Sequence, residues 1–551
     1  MERALRQPTH RGLFVHGNKK IFIRYNDNET MKKIMMTWAA VLCCWVTMTI
    51  FTACTDNDDN PVPSPEPEEE LAEYTIMYYG HDGSNREYYY LSKIGDFYHA
   101  GEEAYKYANV VVQYKFSTAE NMKAQGGYDD NTCQEFGSKT ARWIVDPSKS
   151  FQEQVYSRSN IYGADNADHT CADSLTNFIK WAAKACPAKK YMLIVHDHGG
   201  GYRPNDELPE STEASTRGLV YDDGRNNKHF TVKSFTRAIR QADVHIETIF
   251  MDACLMNCLE YQFELQDLCD YVIAPTYSKP SIDGAYRMLP KLLGQPSVNI
   301  EQALDDYCKA CVASWDEAFH ANETVPVYTD MTVTRTSRIA HLGEMLREFT
   351  DRLCDTYQNG ADAQRQAIDS CTASAIKVQL NRPNYDAIKY VKSIVNALPE
   401  VYGEAFYNQM KEAFNNCIVA QYFSKYLTAH NYMVDYSVLL GFQGAYSIAY
   451  WTTDKQTGAQ IPYAMNIYTD NGEIYGFKLN PTDDPQYYSM EAAGGPSPWG
   501  STLADTYEQL VFDKAVGWSR WLRLNNQHPN LFCPKDLNFE LPWPEEERPQ
   551  N

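Results

Sequence analysis

The sequence predicts an α/β protein whose mostly parallel sheet is covered by helices on both faces. Apolar runs of strand length recur along residues 74–275, and most are followed by a stretch with helical spacing. That alternation is the pattern of a parallel sheet with crossover helices. Two of the runs, Tyr191–Gly201 (YMLIVHDHGGG) and Ile249–Cys258 (IFMDACLMNC), begin as uninterrupted apolar strands of the kind buried on both faces. Each then breaks into residues able to do covalent chemistry, and in open α/β sheets function collects at the carboxyl ends of the strands.

Residues 1–30 show neither helical nor strand periodicity and read as an untranslated or disordered leader. Met31-Lys32-Lys33 then opens an apolar run of about twenty residues that ends at Phe51-Thr52-Ala53-Cys54. A basic start, an apolar centre and small residues before a cleavage point make a secretory signal. Small residues directly before a cysteine resemble a bacterial lipobox, with Phe51 where an aliphatic residue is usual. Met31 is then the true start, residues 31–53 the signal peptide, and Cys54 the lipidated first residue of the mature chain. The alternative is an uncleaved membrane helix, for which the run is just long enough. Residues 54–73 are Pro-rich and acidic with little to bury, and so form a tether. The expected location is a bacterial membrane, the outer one, with the folded part held at the cell exterior.

The catalytic core is expected over residues 74–300. Strands Tyr74–Tyr79 and Ala108–Phe116 bracket a helix over Leu91–Tyr107. Thr170–Asp173 has the capping-box pattern, with Leu175, Phe178, Ile179 and Ala182 following at helical spacing. Thr231 caps a helix carrying Phe235, Ala238 and Ile239, which leads to strand Thr248–Met251, helix Met256–Leu265 and strand Tyr271–Pro275. A C-terminal region over 301–530 is helical in period at Ile339–Leu353 and Tyr385–Leu398. It is strand-rich at Asp435–Trp451 and carries one aromatic amphipathic helix at Tyr507–Leu522, before a tail over 531–551. The 551 residues carry 72 acidic against 50 basic side chains; without residues 1–53 the balance is 69 against 42, a net charge of −27. Nucleic acid is therefore not an expected partner.

If the two motif strands are neighbours, His198 and Cys254 meet at one edge of the sheet as a nucleophile with its base. Cys254 also stands at a strand-to-helix turn, where a helix N-terminus favours a thiolate. The alternative is a buried structural cysteine. His198 precedes Gly199, Gly200 and Gly201, where backbone can come close to a ligand. His196 and His198 together can be read as metal ligands, but the next acidic or Cys residues fall at no recognisable zinc spacing, so no metal is expected from them. Asp252 by itself reads as a helix N-cap.

HDHGGG after one strand and DACLM after the next together resemble the clostripain-like family of cysteine peptidases, relatives of caspases. The resemblance covers roughly residues 75–525 and implies a caspase-like fold and a cysteine endopeptidase. It further implies a Cys254–His198 dyad, an oxyanion held by the N–H groups of Gly199 and Cys254, and Asp252 in a specificity pocket. A carboxylate there selects Arg or Lys through charge-assisted bonds, so cleavage of protein or peptide substrates after basic residues is expected. Where the family has an acidic, Gly-Trp-containing loop, this chain has Thr276–Tyr286, with Ala285 in place of Trp. Lys279 in that loop adds a positive charge that would oppose a basic substrate if it entered the pocket.

The polar connection Tyr202–His229 is too long for an ordinary loop. Relatives are often matured by self-cleavage in this interval, and Arg217 and Arg225 are the expected sites. Asp222 and Asp223 are candidate calcium ligands, since some relatives depend on calcium; otherwise no cofactor is expected. A monomer is expected. The rival reading is a surface lipoprotein that binds peptide or glycan on an inactive caspase-like scaffold, and the intact His198 and Cys254 argue against it.

Overall fold

The computed structural model describes residues 71–81, 87–126, 128–158, 161–165, 169–199, 219–222, 228–277, 279–280, 284–320, 329–373, 377–379, 382–425, 439–441, 449–453, 460–464, 467–468, 476–477 and 509–526. The leader, the signal peptide, residues 54–70 of the expected tether and the tail lie outside the described residues, as do Cys54, Arg217, Asp223 and Arg225. The last two tether residues, Ala72 and Glu73, already belong to the first strand, where the Glu73 N–H donates to Tyr107 O at 2.7 Å.

Among the described residues nine strands form the main sheet. They are β1 (Ala72–His81), β2 (Ala108–Lys115), β3 (Thr140–Ile144), β4 (Ile161–Asp165), β5 (Ala188–His196), β6 (Thr248–Asp252), β7 (Tyr271–Ala274), β8 (Asp330–Arg335) and β9 (Ile418–Phe423). Their spatial order is β9-β8-β7-β6-β5-β1-β2-β3-β4. The five central strands pair in parallel. Antiparallel strands extend the sheet on both sides, β8 and β9 at one edge and β3 and β4 at the other. The two strands β8 and β9 come from the region whose periodicity reads as helical, and they complete the same sheet that holds the motif strands.

The helices that matter here are α1 (Glu87–Tyr98), α2 (Ala172–Ala185), α3 (Val232–Ala242), α4 (Leu259–Leu265), α5 (Ile300–His320), α6 (Ile339–Asn359), α7 (Ala387–Ala397), α8 (Gly403–Cys417), α9 (Val511–Val516) and α10 (Trp518–Asn526). Side chains alternate across a strand, so each buried strand feeds two cores. Leu193, Val195, Ile249 and Met251 pack with α2, α3, α4 and the C-terminal helices. Met192, Ile194 and Phe250 pack with α1 and α5 on the other face. All but Phe250, at 1%, are wholly inaccessible. Such burial contributes about 1.5–3 kcal/mol per large apolar side chain. The expected α/β sheet with helices on both faces is what the chain adopts.

Several boundaries differ from expectation, each for a local reason. The helix expected over Leu91–Tyr107 is α1 followed by a 3-10 turn at Glu102–Tyr105, because Gly101 adopts φ 82 between them. Cys171, not Thr170, is the N-cap of α2, and no side chain caps it, so the capping box at Thr170 is not formed. Thr231 caps α3 reciprocally with Ser234, as expected of its position. The helix Tyr507–Leu522 is broken into α9 and α10 by Gly517 at φ 71, and the Asp513 carboxylate accepts the Ser519 N–H at 2.6 Å to cap the second piece. Helix α4 starts at Leu259, three residues later than expected. The chain after Cys254 pairs sideways instead of coiling: Leu255 takes φ 65, its N–H donates to Tyr277 O at 3.2 Å, and Asn257 N–H donates to Pro275 O at 2.9 Å.

Candidate active site

The register of the two motif strands builds the site. β5 and β6 are parallel neighbours with His196 opposite Asp252, so the residues that follow each, His198 and Cys254, leave the sheet side by side. Gly199 confirms the closeness. A Cβ placed on it would stand 2.8 Å from Cys254 N and 2.8 Å from Ala253 Cβ, and nearer still to the Cys254 carbonyl oxygen. Only glycine fits there, and its fit brings the Gly199 and Cys254 backbones into contact. The turn that carries the thiol is tense: a leucine at φ 65 follows it directly, a conformation that an L-residue with a bulky side chain adopts at a cost and that clusters at functional sites.

The imidazole side is braced in the same manner. His198 N–H donates to the Asp197 carboxylate at 2.6 Å, and the His198 carbonyl accepts the N–H of Val220 at 3.3 Å. Val220 holds φ 58, an outlier for a β-branched residue. It belongs to a short strand, Leu219–Asp222, paired with Lys228–Phe230. The long connection between the motifs therefore returns a strained strand to support the histidine loop. Asp222 ends that strand.

The two histidines of HDH are unlike each other. His196 is 1% exposed, its Nδ1 pairs with the Tyr78 hydroxyl, its Nε2 lies 3.7 Å from Asp252 Oδ2, and the Tyr90 ring packs on it at 4.2 Å between centroids. Burial, only partly opposed by Asp252, pushes its pKa well below the ordinary imidazole value, so it stays neutral. His198 is half-buried at the sheet edge. Among the described residues no cluster of His, Cys, Asp and Glu could hold a metal ion.

Asp252 is the last residue of β6, not a helix N-cap, and its carboxylate is 2% exposed. Three side chains converge on it from elsewhere in the chain: the Lys279 ammonium on Oδ1, the Tyr286 hydroxyl on Oδ2, and Lys93 of α1 at 3.7 Å from Oδ2. Burial alone would raise this carboxyl, but Lys279 and Lys93 outweigh it and hold Asp252 well below the usual carboxylate range. Lys93 is itself lowered to about 7, chiefly by burial, with Asp252 opposing. Around these groups stand Tyr78, Tyr90, Phe97 and Tyr286, the last stacked on Phe97 at 5.0 Å.

Lys279 touches the thiol as well as the carboxylate. Its backbone N–H donates to Cys254 Sγ at 3.4 Å, and its carbonyl oxygen lies 3.9 Å from the same sulfur. The loop bearing it is anchored by Asp330 of β8, which accepts the N–H groups of Thr276 and Tyr277 at 2.7 and 2.9 Å. Gln421 of β9 donates to Asp330 at 3.2 Å and to Thr332 at 2.6 Å. Lys93, Val220, Asp330 and Gln421 were not singled out in the sequence. Lys93 carried a signal, since it falls three residues after Tyr90 on the apolar stripe of α1 and is 2% exposed.

A mostly parallel sheet with a thiol and an imidazole at neighbouring carboxyl ends is an arrangement suited to a cysteine peptidase. The sequence model of the clostripain family, Peptidase C11, matches residues 78–470, well over half of the chain, and the protein belongs to that family of cysteine peptidases. Among curated proteins none matches the chain. Of solved structures, a secreted C11 cysteine protease from Bacteroides thetaiotaomicron, "iotapain", is similar at 16% identity, with 64% of this chain and 88% of that chain covered and a TM-score of 0.47. A secreted C11 cysteine protease from the same organism in complex with an irreversible peptide inhibitor gives 14% identity, 81% and 99% coverage and a TM-score of 0.46. An inactive zymogen C11 protease from Parabacteroides distasonis gives 14%, 81% and 98%, and 0.46.

Proposed function

We propose that the protein is an exported, surface-anchored cysteine endopeptidase that cleaves protein or peptide chains after Arg or Lys with a Cys254–His198 dyad. His198 takes the proton of Cys254, the thiolate attacks the peptide carbonyl, and the N–H groups of Gly199 and Cys254 hold the oxyanion. His198 then protonates the leaving amine, and water cleaves the acyl-enzyme. The observation that carries this reading is the pairing of His196 with Asp252 across β5 and β6, together with the contact of Gly199 with Cys254. Asp252 is the group that meets the basic side chain. Cys54 carries the lipid, Arg217 or Arg225 is the point of self-cleavage, and the enzyme works as a monomer without a cofactor, with Asp222 and Asp223 as the calcium ligands if chelation proves to matter.

The test is hydrolysis of fluorogenic peptides with Arg, Lys, Asp, Leu or Ala before the scissile bond, by the wild-type protein and by Cys254→Ala, with and without calcium. Turnover confined to the Arg and Lys peptides and lost in the variant is expected. No turnover of any peptide, even with the 202–229 connection nicked, would return the weight to a binding protein on an inactive scaffold. Fatty-acid labelling of wild type but not Cys54→Ala checks the anchor.

A further inference from the structure

We propose that Lys279 stands where a substrate's basic residue must stand, and so sets the specificity of the enzyme by competing with substrate for Asp252. The inference rests on the reading of Asp252 as the pocket acid. A residue whose following bond is to be cut has two duties: its backbone must lie on the nucleophile and its side chain must reach the acid. Lys279 fulfils both. Its N–H is 3.4 Å and its carbonyl oxygen 3.9 Å from Cys254 Sγ, while its ammonium pairs with Asp252 Oδ1 and lies 3.5 Å from the Asp252 carbonyl. The side chain is 4% exposed, so the pairing is made inside the pocket and not at its rim.

The occupant is built to stay whole. Residue 280 is proline, so the bond after Lys279 is a tertiary amide whose nitrogen sits in a ring and carries no hydrogen. The loop is also fixed from behind by Asp330 through Thr276 and Tyr277, and Tyr286, a few residues further on, holds the second oxygen of Asp252 with its hydroxyl. Lys93 places a second amine 3.7 Å from that oxygen. An incoming cation would meet a carboxylate already paired with the Lys279 ammonium. An incoming Arg or Lys therefore binds by displacing Lys279, and its apparent affinity is reduced by the small fraction of molecules in which Lys279 is out. A tethered competitor of this kind raises KM for basic substrates and leaves the chemistry that follows binding unchanged.

The experiment measures kcat and KM of the full chain on Lys, Arg and Leu peptides for wild type, Lys279→Ala, Lys279→Met and Lys279→Arg. Lys279→Met keeps the aliphatic stem in case alanine collapses the loop, and thermal melting confirms that each variant is folded. Alkylation of Cys254 is followed in parallel by intact mass, with a peptidyl lysine chloromethyl ketone and with iodoacetamide. Lys279→Ala and Lys279→Met are expected to lower KM for Lys and Arg peptides at least about tenfold with kcat little changed. They should also speed labelling by the lysine reagent more than by iodoacetamide, and Lys279→Arg should behave as wild type. Equal KM for basic peptides and equal labelling ratios in wild type, Lys279→Ala and Lys279→Met overturn the inference while leaving the Arg/Lys peptidase standing. Cleavage of the Leu peptide alone, by wild type and all variants, overturns the reading of Asp252 and the inference with it.

Discussion

The edge of the sheet at Cys254 and the pocket beneath it at Asp252 lie two residues apart in the chain, yet they are made by different means. The edge is made of backbone: Gly199 against Cys254, the strained turn at Leu255, and the Val220 N–H on the His198 carbonyl. The pocket is made of long side chains from three separate segments, Lys93, Lys279 and Tyr286, around one carboxylate. Backbone geometry fixes where the bond-breaking atoms stand, and it tolerates little change. On the proposed reading, side-chain charge decides what is admitted, and single substitutions can retune it. A peptidase can thus keep its chemistry while altering what it cuts.

The sharpest way to break this division is through the two histidines. His198→Ala should abolish turnover, a loss of at least about 10⁴-fold in kcat, as for other residues that act as a unit with the nucleophile. His196→Ala should leave kcat within about tenfold and instead lower the melting temperature, since the buried hydrogen bond between Tyr78 and the imidazole is lost and the ring's space is left unfilled, at about 1–3 kcal/mol. The opposite ranking in kcat would assign the base to the wrong member of HDH. Gly199→Ala comes next. Its methyl group would overlap the Cys254 carbonyl oxygen and shift the oxyanion donors, so kcat should fall about 10²–10³-fold with KM nearly kept, and the collision with backbone should also lower the melting temperature, at a cost of about 1–3 kcal/mol. A rise in KM alone would move Gly199 from the edge to the pocket.

Asp252→Ala tests the pocket with a smaller effect on chemistry and a larger one on folding. It removes the carboxylate from a buried pair and strands the Lys279 ammonium, which should destabilise the protein by about 3–5 kcal/mol. The preference for Arg and Lys should go with it. Calorimetry beside the peptide panel reads both, and a variant of wild-type stability that still selects Arg would leave Asp252 with neither role.

The same contrast explains what the sequence made legible. β5 and β6 announce themselves as apolar runs, His198-Gly199 and Cys254 follow each strand directly, and parallel pairing needs no further information to bring them together. α3 was readable from Thr231 and the stripe Phe235, Ala238 and Ile239, all local in sequence. The start of α4 was not, because hydrogen bonds to Pro275 and Tyr277 override a pattern that by itself favours helix from Met256. β8 and β9 were hidden among helices, because their partners lie far away in sequence. Lys93 reaches Asp252 across 159 residues of chain, a pairing that no spacing encodes. The charge of Lys279 was visible as a misfit in the loop after β7, but its destination was decided by the fold.

Lys93 gives the smallest and most specific test. It faces Asp252, Lys279 and Cys311, and burial lowers it from the ordinary 10.5 to about 7. Below pH 7 the folded and unfolded chains both hold its proton, so this residue adds no pH dependence to stability. Between about 7 and 10.5 only the unfolded chain holds it, folding releases a proton, and stability rises with pH. At most one proton is involved, so the slope is at most about 1.4 kcal/mol per pH unit. Lys93→Met should remove that rise from a series of melting curves between pH 6.5 and 9.5 and should leave kcat unaltered, because the side chain acts on the Asp252 carboxylate. A slope that persists in Lys93→Met would place the titrating group elsewhere, and a variant that loses kcat would mean that pocket charge and edge geometry are coupled after all.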